Sequence, residues 1–397
     1  MSIINLFKID LIYSFAIIIA FLFAIDIILF LLIRKSNDLK KIIFLHFIIA
    51  FVIYLTVIWA FFINSWNRDF YNYQTFYFII KHFFAFYLFK ISFILLSIPF
   101  LIVKLKNYYK FTFTISFIVY LIIIYGLYFG RFKFITTETN LILNGSTKYN
   151  RIKIVQISDL HLGSFVGDID KVRKIVDIVN QQNADIVVFT GDLINCYAEE
   201  TYPFENILNK IKSKHGNYAV YGNHDYSDYY KWKNIEDQKK NHLILDSFYR
   251  KINFKVLNNE NVRINYNNKS FVIAGIENFG TRFFARKGNI KKAIQNTKND
   301  DLVILLSHDP LFWDYVFVKY PQIKLTLSGH THAYQMGIRF NNNYYWTAFA
   351  NSYSKIKWKG LYKRNNQYLY ITNGLGSSFF PARITMWPEI SVINIKF

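Results

Sequence analysis

Five short polar blocks hold most of the side chains in this sequence that could act together chemically. They are Ser158-Asp159-Leu160-His161, Thr190-Gly191-Asp192, Gly222-Asn223-His224-Asp225, Ser307-His308-Asp309 and Gly329-His330-Thr331-His332. Asp159, His161, Asp192, Asn223, His308, His330 and His332 offer carboxylates, imidazoles and one amide oxygen, with no thiolate. That donor set suits Mn, Fe, Zn or Co in a working site rather than a structural zinc. Seven ligands are too many for one ion and fit two divalent metal ions that share one. A carboxylate such as Asp192 is the natural bridge, because its two oxygens reach cations about 3.5–4 Å apart. Glycines at 191, 222 and 329 let the backbone turn sharply at each block. Of the nine histidines, those at 161, 224, 308, 330 and 332 fall in the blocks, while His215 and His242 read as plain surface residues. One histidine alone is most simply a structural residue; five in ordered blocks are not.

Each block follows an apolar run: Ile152 to Ile157, Ile186 to Phe189, Tyr218 to Tyr221, Leu302 to Leu306 and Lys324 to Leu327. Such runs read as strands buried on both faces of a parallel sheet. Ligands collect at the carboxyl ends of such strands, so the blocks are expected to converge on one sheet edge. Asp168 is placed to cap a helix in which Ile169, Val172, Ile175, Val176 and Val179 recur at helical spacing, a crossover between the first two strands. Phe271 to Gly275 is a further strand, and Tyr368–Thr372 with Ile390–Phe397 suggest a second sheet. ITTETNLIL alternates as an edge strand does, and NGSTKYN after it reads as a turn. The expectation for 134–397 is a layered α/β/β/α sandwich.

The chain of 397 residues is 53% hydrophobic and 20% aromatic, and its first third is almost uncharged. Four apolar runs, Leu11 to Ile33, Ile42 to Ile63, Phe76 to Val103 and Phe111 to Tyr128, are each long enough for a hydrocarbon core of about 30 Å. The first lacks the small-residue cleavage site of a signal peptide. Residues 1–133 therefore read as an all-α section of four transmembrane helices. Arg34, Lys35, Lys40, Lys41, Lys104, Lys106 and Lys110 outweigh Lys8, Arg68, Arg131 and Lys133, so the first and third loops are expected in the cytoplasm. Both termini and the 134–397 domain then face the extracytoplasmic side of a bacterial inner membrane. Asp26 and Lys90 lie inside their spans and read first as a structural ion pair, with snorkelling or a misplaced span edge, and then a transport or lipid-binding role, as the alternatives. The single cysteine, Cys196, excludes an internal disulfide and a cysteine-based zinc site. The net charge of +21 is scattered rather than gathered on one face. It reads as a basic surface beside membrane lipids, or as steering of an anionic substrate, and nucleic acid is not expected.

The ordered series Asp-x-His, Gly-Asp, Gly-Asn-His-Asp, His and Gly-His-x-His resembles the calcineurin-like metallophosphoesterase superfamily, over residues 153 to 397. The resemblance implies Asp159, His161, Asp192 and His332 at a first metal and Asp192, Asn223, His308 and His330 at a second. It implies His224 as the unliganded catalytic histidine, with Asp225 beside it in the catalytic block. The implied reaction is hydrolysis of a phosphoester or diphosphate by metal-activated hydroxide, without a covalent enzyme intermediate. Phosphoprotein phosphatases of the superfamily continue Gly-Asp-x-x-Asp-Arg, whereas this chain has Gly191-Asp192-Leu193-Ile194-Asn195-Cys196. Ser158-Asp159-Leu160-His161-Leu162-Gly163, Phe380-Pro381-Ala382-Arg383 and Trp387-Pro388-Glu389-Ile390 look more like the bacterial membrane-associated branch. That branch resembles, at its edges, enzymes that cleave the diphosphate of UDP-diacylglucosamine. Branch members commonly carry glycines after Gly-His-x-His, but this chain has Ala333-Tyr334-Gln335, which leaves the pocket shape and the substrate open. Arg383 is a candidate phosphate contact, with a structural ion pair as its alternative. Phe283-Phe284 and Phe379-Phe380 are candidate contacts to a lipid-linked substrate, or buried residues. The other reading of the whole is a catalytically weak metal-binding domain that serves a transmembrane sensor or transporter.

Overall fold

The computed structural model of the chain describes residues 11–34, 40–66, 70–103, 105, 108–143, 150–230, 232–267, 269–280, 286–317, 319–340, 345–348, 350, 357–377 and 380–397. The turn expected after Leu143, the loop charges Lys8, Lys35, Arg68, Lys104 and Lys106, and Phe283, Phe284 and Phe379 lie outside the described residues. The chain divides into two compact units, Met1–Tyr128 and Phe129–Phe397.

The first unit consists of α1 (Leu11–Ile33), α2 (Lys40–Trp66), α3 (Phe70–Ile102) and α4 (Tyr108–Tyr128). Leu22, Ile25, Val57, Phe83 and Tyr87 form its buried centre, while Phe21, Phe51, Leu95 and Phe117 point outward. Helices that are apolar on every side suit a bilayer. Among the described residues, Tyr77–Ile102 and Tyr108–Phe132 are long and apolar enough to cross a membrane, and the apolar helical stretches Ile19–Leu32 and His46–Trp59 are shorter. Asp26 and Lys90 do pair: Lys90 Nζ donates to Asp26 Oδ1 at 2.5 Å. The Tyr54 and Tyr87 hydroxyls donate to Oδ2 at 2.5 and 2.9 Å, and His46 Nε2 stands 3.5 Å from Oδ1. A carboxylate in an apolar bundle is tolerated only when its lone pairs are taken in this way.

In the second unit the strands, in chain order, are β1 (Ile135–Ile142), β2 (Arg151–Ile157), β3 (Ile186–Phe189), β4 (Asn217–Ala219), β5 (Phe254–Val256), β6 (Glu260–Tyr266) and β7 (Lys269–Gly275). They continue with β8 (Val303–Leu306), β9 (Ile323–Ser328), β10 (Ile338–Arg339), β11 (Tyr345–Trp346), β12 (Gly360–Arg364), β13 (Gln367–Ile371) and β14 (Glu389–Lys396). One sheet has the order β1-β14-β2-β3-β4-β5, the other β12-β13-β9-β8-β7-β6, and β10-β11 form a small hairpin. Neighbours from β2 to β5 are parallel, as are β7-β8, β8-β9 and β9-β13. The strand from Ile390 is β14, and it belongs to the first sheet, antiparallel to β2, not to the second. Its partner on the other side is the edge strand β1.

Period-two alternation explains the layering. Ile152 and Ile154 of β2, with Ile186 and Val188 of β3, meet Ile273, Ile304 and Leu325 of the other sheet in a core between the two sheets. Their neighbours Val155, Ile157, Val187 and Phe189 face outward against α5 (Ile169–Gln181) and α6 (Ile235–Lys251). On the far side Val272, Val303 and Leu305 pack under Phe312, Trp313 and Val316. The central strands β3 and β8 are thus buried at every residue, which is why their runs read as continuously apolar, while the edge strands β1, β6 and β12 keep exposed positions. α5 buries Val172, Ile175, Val176 and Val179 as expected. Asp168 stands at its N-cap but accepts no capping bond, and its carboxylate lies 3.7 Å from Arg131 instead.

Candidate metal centre

The blocks do not share one sheet. Asp159, His161, Asp192, Asn223 and His224 follow β2, β3 and β4 of the first sheet, and His308, His330 and His332 follow β8 and β9 of the second. The centre lies where the carboxyl ends of both sets of strands meet. Reaching it bends the backbone: Asp159, His161, Asp192, His330 and His332 all have positive φ, between 43° and 73°. A non-glycine residue in that region costs of the order of 1–2 kcal/mol, so strain gathers where the side chains must converge. The run continues through Ala333, Tyr334 and Gln335 at 48°, 55° and 59°. A left-handed backbone is what glycines would supply there. This chain holds it instead with the Gln335 amide, which donates to the Phe380 and Ala382 carbonyls. Of the glycines, Gly191 has positive φ (96°), whereas Gly222 is required by close approach, since a Cβ there would meet Asp192 Oδ1 at 2.1 Å.

Asp159, His161 and His332 form one group of converging donors, and Asp192, His308 and His330 another, with ligand atoms within 4.8 Å of one another in each. Asp192 joins them through one oxygen: Oδ2 lies 3.5 Å from His161 Nε2 and 3.1 Å from His308 Nε2. Its Oδ1 accepts the His224 backbone N–H at 2.9 Å. His308 Nδ1 donates to the Thr190 carbonyl at 2.8 Å, which turns Nε2 inward, 3.1 Å from Asn223 Oδ1 and 3.2 Å from His330 Nδ1. His161 Nε2 and His332 Nε2 face each other at 3.1 Å.

Burial holds His161 down at about 3 and His330 at about 4, so both imidazoles keep the neutral, ligating form. Burial also lifts the Asp159 carboxyl to about 6. It works against charge on His308 too, but the Asp192 carboxylate overrides it and raises His308 to about 10. Asp159 Oδ2 is buried with no hydrogen-bond partner among the described residues. An orphaned carboxylate oxygen and imidazole nitrogens facing one another are poorly satisfied by protons. Divalent cations would satisfy all of them, and the donors fit oxygen- and nitrogen-loving metals.

His224 stands at the rim, half-buried. Its Nδ1 donates to the Asn195 carbonyl at 2.6 Å, its ring lies edge-on to His161 (4.7 Å), and it stacks on Tyr229 (4.3 Å, 25°). Asp225 faces away from the centre. Its oxygens accept the backbone N–H groups of Asp192 (2.9 Å), Leu193 (2.8 Å) and Gly222 (2.9 Å). Burial, with the Asp192 charge, lifts its carboxyl to about 7. Arg383, the candidate phosphate contact, is 1% exposed. Its guanidinium donates to Gly376 O (2.8 Å) and Met386 O (3.2 Å) and lies 3.4 Å from His332 Nδ1, bracing the His332 loop without an ion pair among the described residues. Asp309 accepts Leu311 N–H as a cap at 2.9 Å.

Sequence reading missed Glu200, Asn195 and Tyr229. Buried Glu200 accepts N–H groups from Gly163, Asn195, Cys196 and Tyr197, tying the turn after His161 to the loop whose carbonyl holds His224. Burial raises its carboxyl to about 7 against those bonds. Tyr229 accepts from Asn223 Nδ2 at 2.8 Å. None of these lies in a periodic pattern or next to a strand end.

Residues 152–334 match the family described as calcineurin-like phosphoesterase. The chain is 28% identical over 256 residues to a transmembrane protein with metallophosphoesterase domain from Danio rerio, covering 62% of this chain and 54% of that protein. It is 27% identical over 268 residues to the uncharacterized metallophosphoesterase YkuE of Bacillus subtilis, covering 66% of this chain and 84% of the relative. An uncharacterized metallophosphoesterase of Helicobacter pylori is 29% identical over 298 residues, covering 74% and 71%. The chain thus spans about half the length of the Danio rerio relative.

Proposed function

We propose that this chain, which belongs to the calcineurin-like metallophosphoesterase superfamily, is a membrane-anchored two-metal-ion hydrolase of a phosphoester or diphosphate bond in a lipid-linked substrate. The observation that carries the reading is the convergence of strand-end donors from two sheets on the shared Asp192 Oδ2. Asp159, His161, Asp192 and His332 would hold the first ion, and Asp192, Asn223, His308 and His330 the second. Such ions supply Lewis acidity, an activated water and a clamp for phosphate oxygens. The chain's own part is to keep His161 and His330 neutral, to offer Asp192 as the shared carboxylate and to hold one proton in place. With His224 Nδ1–H committed to the Asn195 carbonyl, Nε2 is the atom left for the reaction: it accepts a proton in the neutral ring and donates to a phosphoryl or leaving oxygen in the imidazolium form. Asp225 acts through backbone, fixing the turns that carry Asp192 and Asn223.

Anchoring is read from the apolar helices α1–α4, with support from relatives described as transmembrane proteins. Four spans in a bacterial inner membrane are our reading of the four apolar runs, two of which are long enough among the described residues, and the extracytoplasmic face for the hydrolase is our reading of the lysine and arginine bias. That face would suit a lipid-linked phosphate better than a cytoplasmic UDP-sugar lipid. The buried Asp26 cluster favours the second reading, a helical sensor or transporter served by a weak metal-binding domain.

The test is hydrolysis by the full-length protein, stripped of metal and then given Mn, on a chromogenic phosphomonoester, a chromogenic phosphodiester and a lipid diphosphate. Mn-dependent turnover that Asn223→Ala abolishes, highest on the lipid, is expected. Turnover confined to water-soluble esters removes the lipid assignment. No turnover on any of them, with function in cells lost on Asp26→Asn, favours the sensor.

A further inference from the structure

We infer that Tyr229 is a positioning residue of the centre, aiming the Asn223 amide and the His224 ring with one side chain; this rests on the two-metal reading above. After the Gly222-Asn223-His224-Asp225 block the backbone turns at Ser227, whose φ is 57°. That turn returns Tyr229 over the two residues before Asp225. Its hydroxyl accepts from Asn223 Nδ2 at 2.8 Å, while the other end of the same amide, Oδ1, points to His308 Nε2 at 3.1 Å. An amide is a weak metal ligand with free rotation about its last bond. A partner on the nitrogen fixes the amide plane, leaves the oxygen inward and adds electron density to it. The phenol ring meanwhile lies against the His224 imidazole at 4.3 Å and 25°, and with the Nδ1 bond to the Asn195 carbonyl this fixes both tilt and rotation of that ring.

The hydroxyl and the ring of Tyr229 thus do separable things. The hydroxyl bears on metal affinity through Asn223, and the ring bears on proton delivery through His224. Tyr229→Phe removes the first alone, and Tyr229→Leu removes both.

The experiment is calorimetric titration of Mn into the metal-stripped full-length protein, for wild type, Tyr229→Phe, Asn223→Ala and the double variant, with melting temperatures of the metal-free forms. Tyr229→Phe is expected to weaken the second Mn by about tenfold, the usual effect of losing an outer partner of a ligand. Its metal-free melting temperature should stay at the wild-type value. In the Asn223→Ala background the same change should have no further effect, because the route runs through the amide. At saturating Mn, Tyr229→Leu should lower kcat further than Tyr229→Phe does, because only the first also frees the His224 ring. Unchanged Mn affinity in Tyr229→Phe, an equal loss in the Asn223→Ala background, or a lowered metal-free melting temperature each overturns the inference. A wild-type protein that binds no Mn overturns the metal-centre reading itself, and does so before any variant is compared.

Discussion

Asp225→Asn separates a chemical role for the Gly-Asn-His-Asp block's last residue from a structural one. The substitution keeps the shape and replaces one acceptor oxygen with an NH2 group. In the wild type Oδ2 serves the Asp192 and Gly222 N–H groups, both at 2.9 Å, and Oδ1 serves Leu193 at 2.8 Å. The variant's single oxygen does best facing Asp192 and Gly222, which sets its NH2 against the Leu193 N–H. The Leu193 bond and the longer Ile194 bond (3.4 Å) are lost with that oxygen, and buried donors are left without acceptors, at a cost of about 2–4 kcal/mol. At about 2–4 °C per kcal/mol for a domain of this size, the melting temperature should fall by roughly 4–16 °C. Because the displaced backbone is that of Asp192 and Leu193, Mn affinity should weaken in the same variant. The assay pairs thermal melting with Mn-dependent hydrolysis across a Mn titration. Expected is a stability loss of that size with turnover largely restored at high Mn. Turnover abolished at every Mn concentration with melting unchanged would refute the reasoning and give Asp225 a direct part in the chemistry.

Further predictions concern each unit. In the helical unit, Lys90→Ala leaves Asp26 buried beside two tyrosines without its cation, a change that typically costs about 3–5 kcal/mol. The double change Asp26→Leu with Lys90→Leu should recover most of that, measured as unfolding in detergent; a double variant as unstable as the single would contradict a plain buried pair. In the hydrolase unit, Arg263 donates to Asp301 through two nitrogens at 2.8 and 2.7 Å, and those bonds hold the Asp301 carboxyl down at about 2. An acid whose folded pKa is depressed stabilises the fold above its ordinary value of about 3.9 and loses that advantage as pH falls toward 2. Wild type should therefore exceed Arg263→Ala in stability at neutral pH, with the gap closing between about pH 4 and pH 2 in acid unfolding curves. A gap independent of pH would place the effect in packing instead. Gly222→Ala should lose Mn binding, since its methyl group would collide with Asp192 Oδ1; a variant with wild-type affinity would show that the turn can move.

The donors were legible because each sits where an apolar run stops, a pattern that survives without any three-dimensional information. Sequence order did not disclose that they come from two sheets. β14 inserts between β1 and β2 after more than two hundred residues, and nothing local in Ile390 to Phe397 specifies that partner. That Arg383 donates to the carbonyls of Gly376 and Met386 was not legible from the sequence, because those partners have no fixed spacing from it. Asp168 has the right type and place for a cap, but its carboxylate turns toward Arg131. Glu200 and Tyr229 act through backbone N–H groups and a single amide across a turn, contacts with no period and no fixed spacing. The positive φ at Ala333, Tyr334 and Gln335 is likewise invisible in residue types that do not favour it.

The most direct measurement is the metal content of the full-length protein after equilibration with Mn and removal of free ion, beside His330→Ala. Two ions sharing Asp192 predict about two Mn per wild-type chain and about one in the variant. A wild-type chain that retains none, or a variant that retains as much as wild type, would contradict the centre.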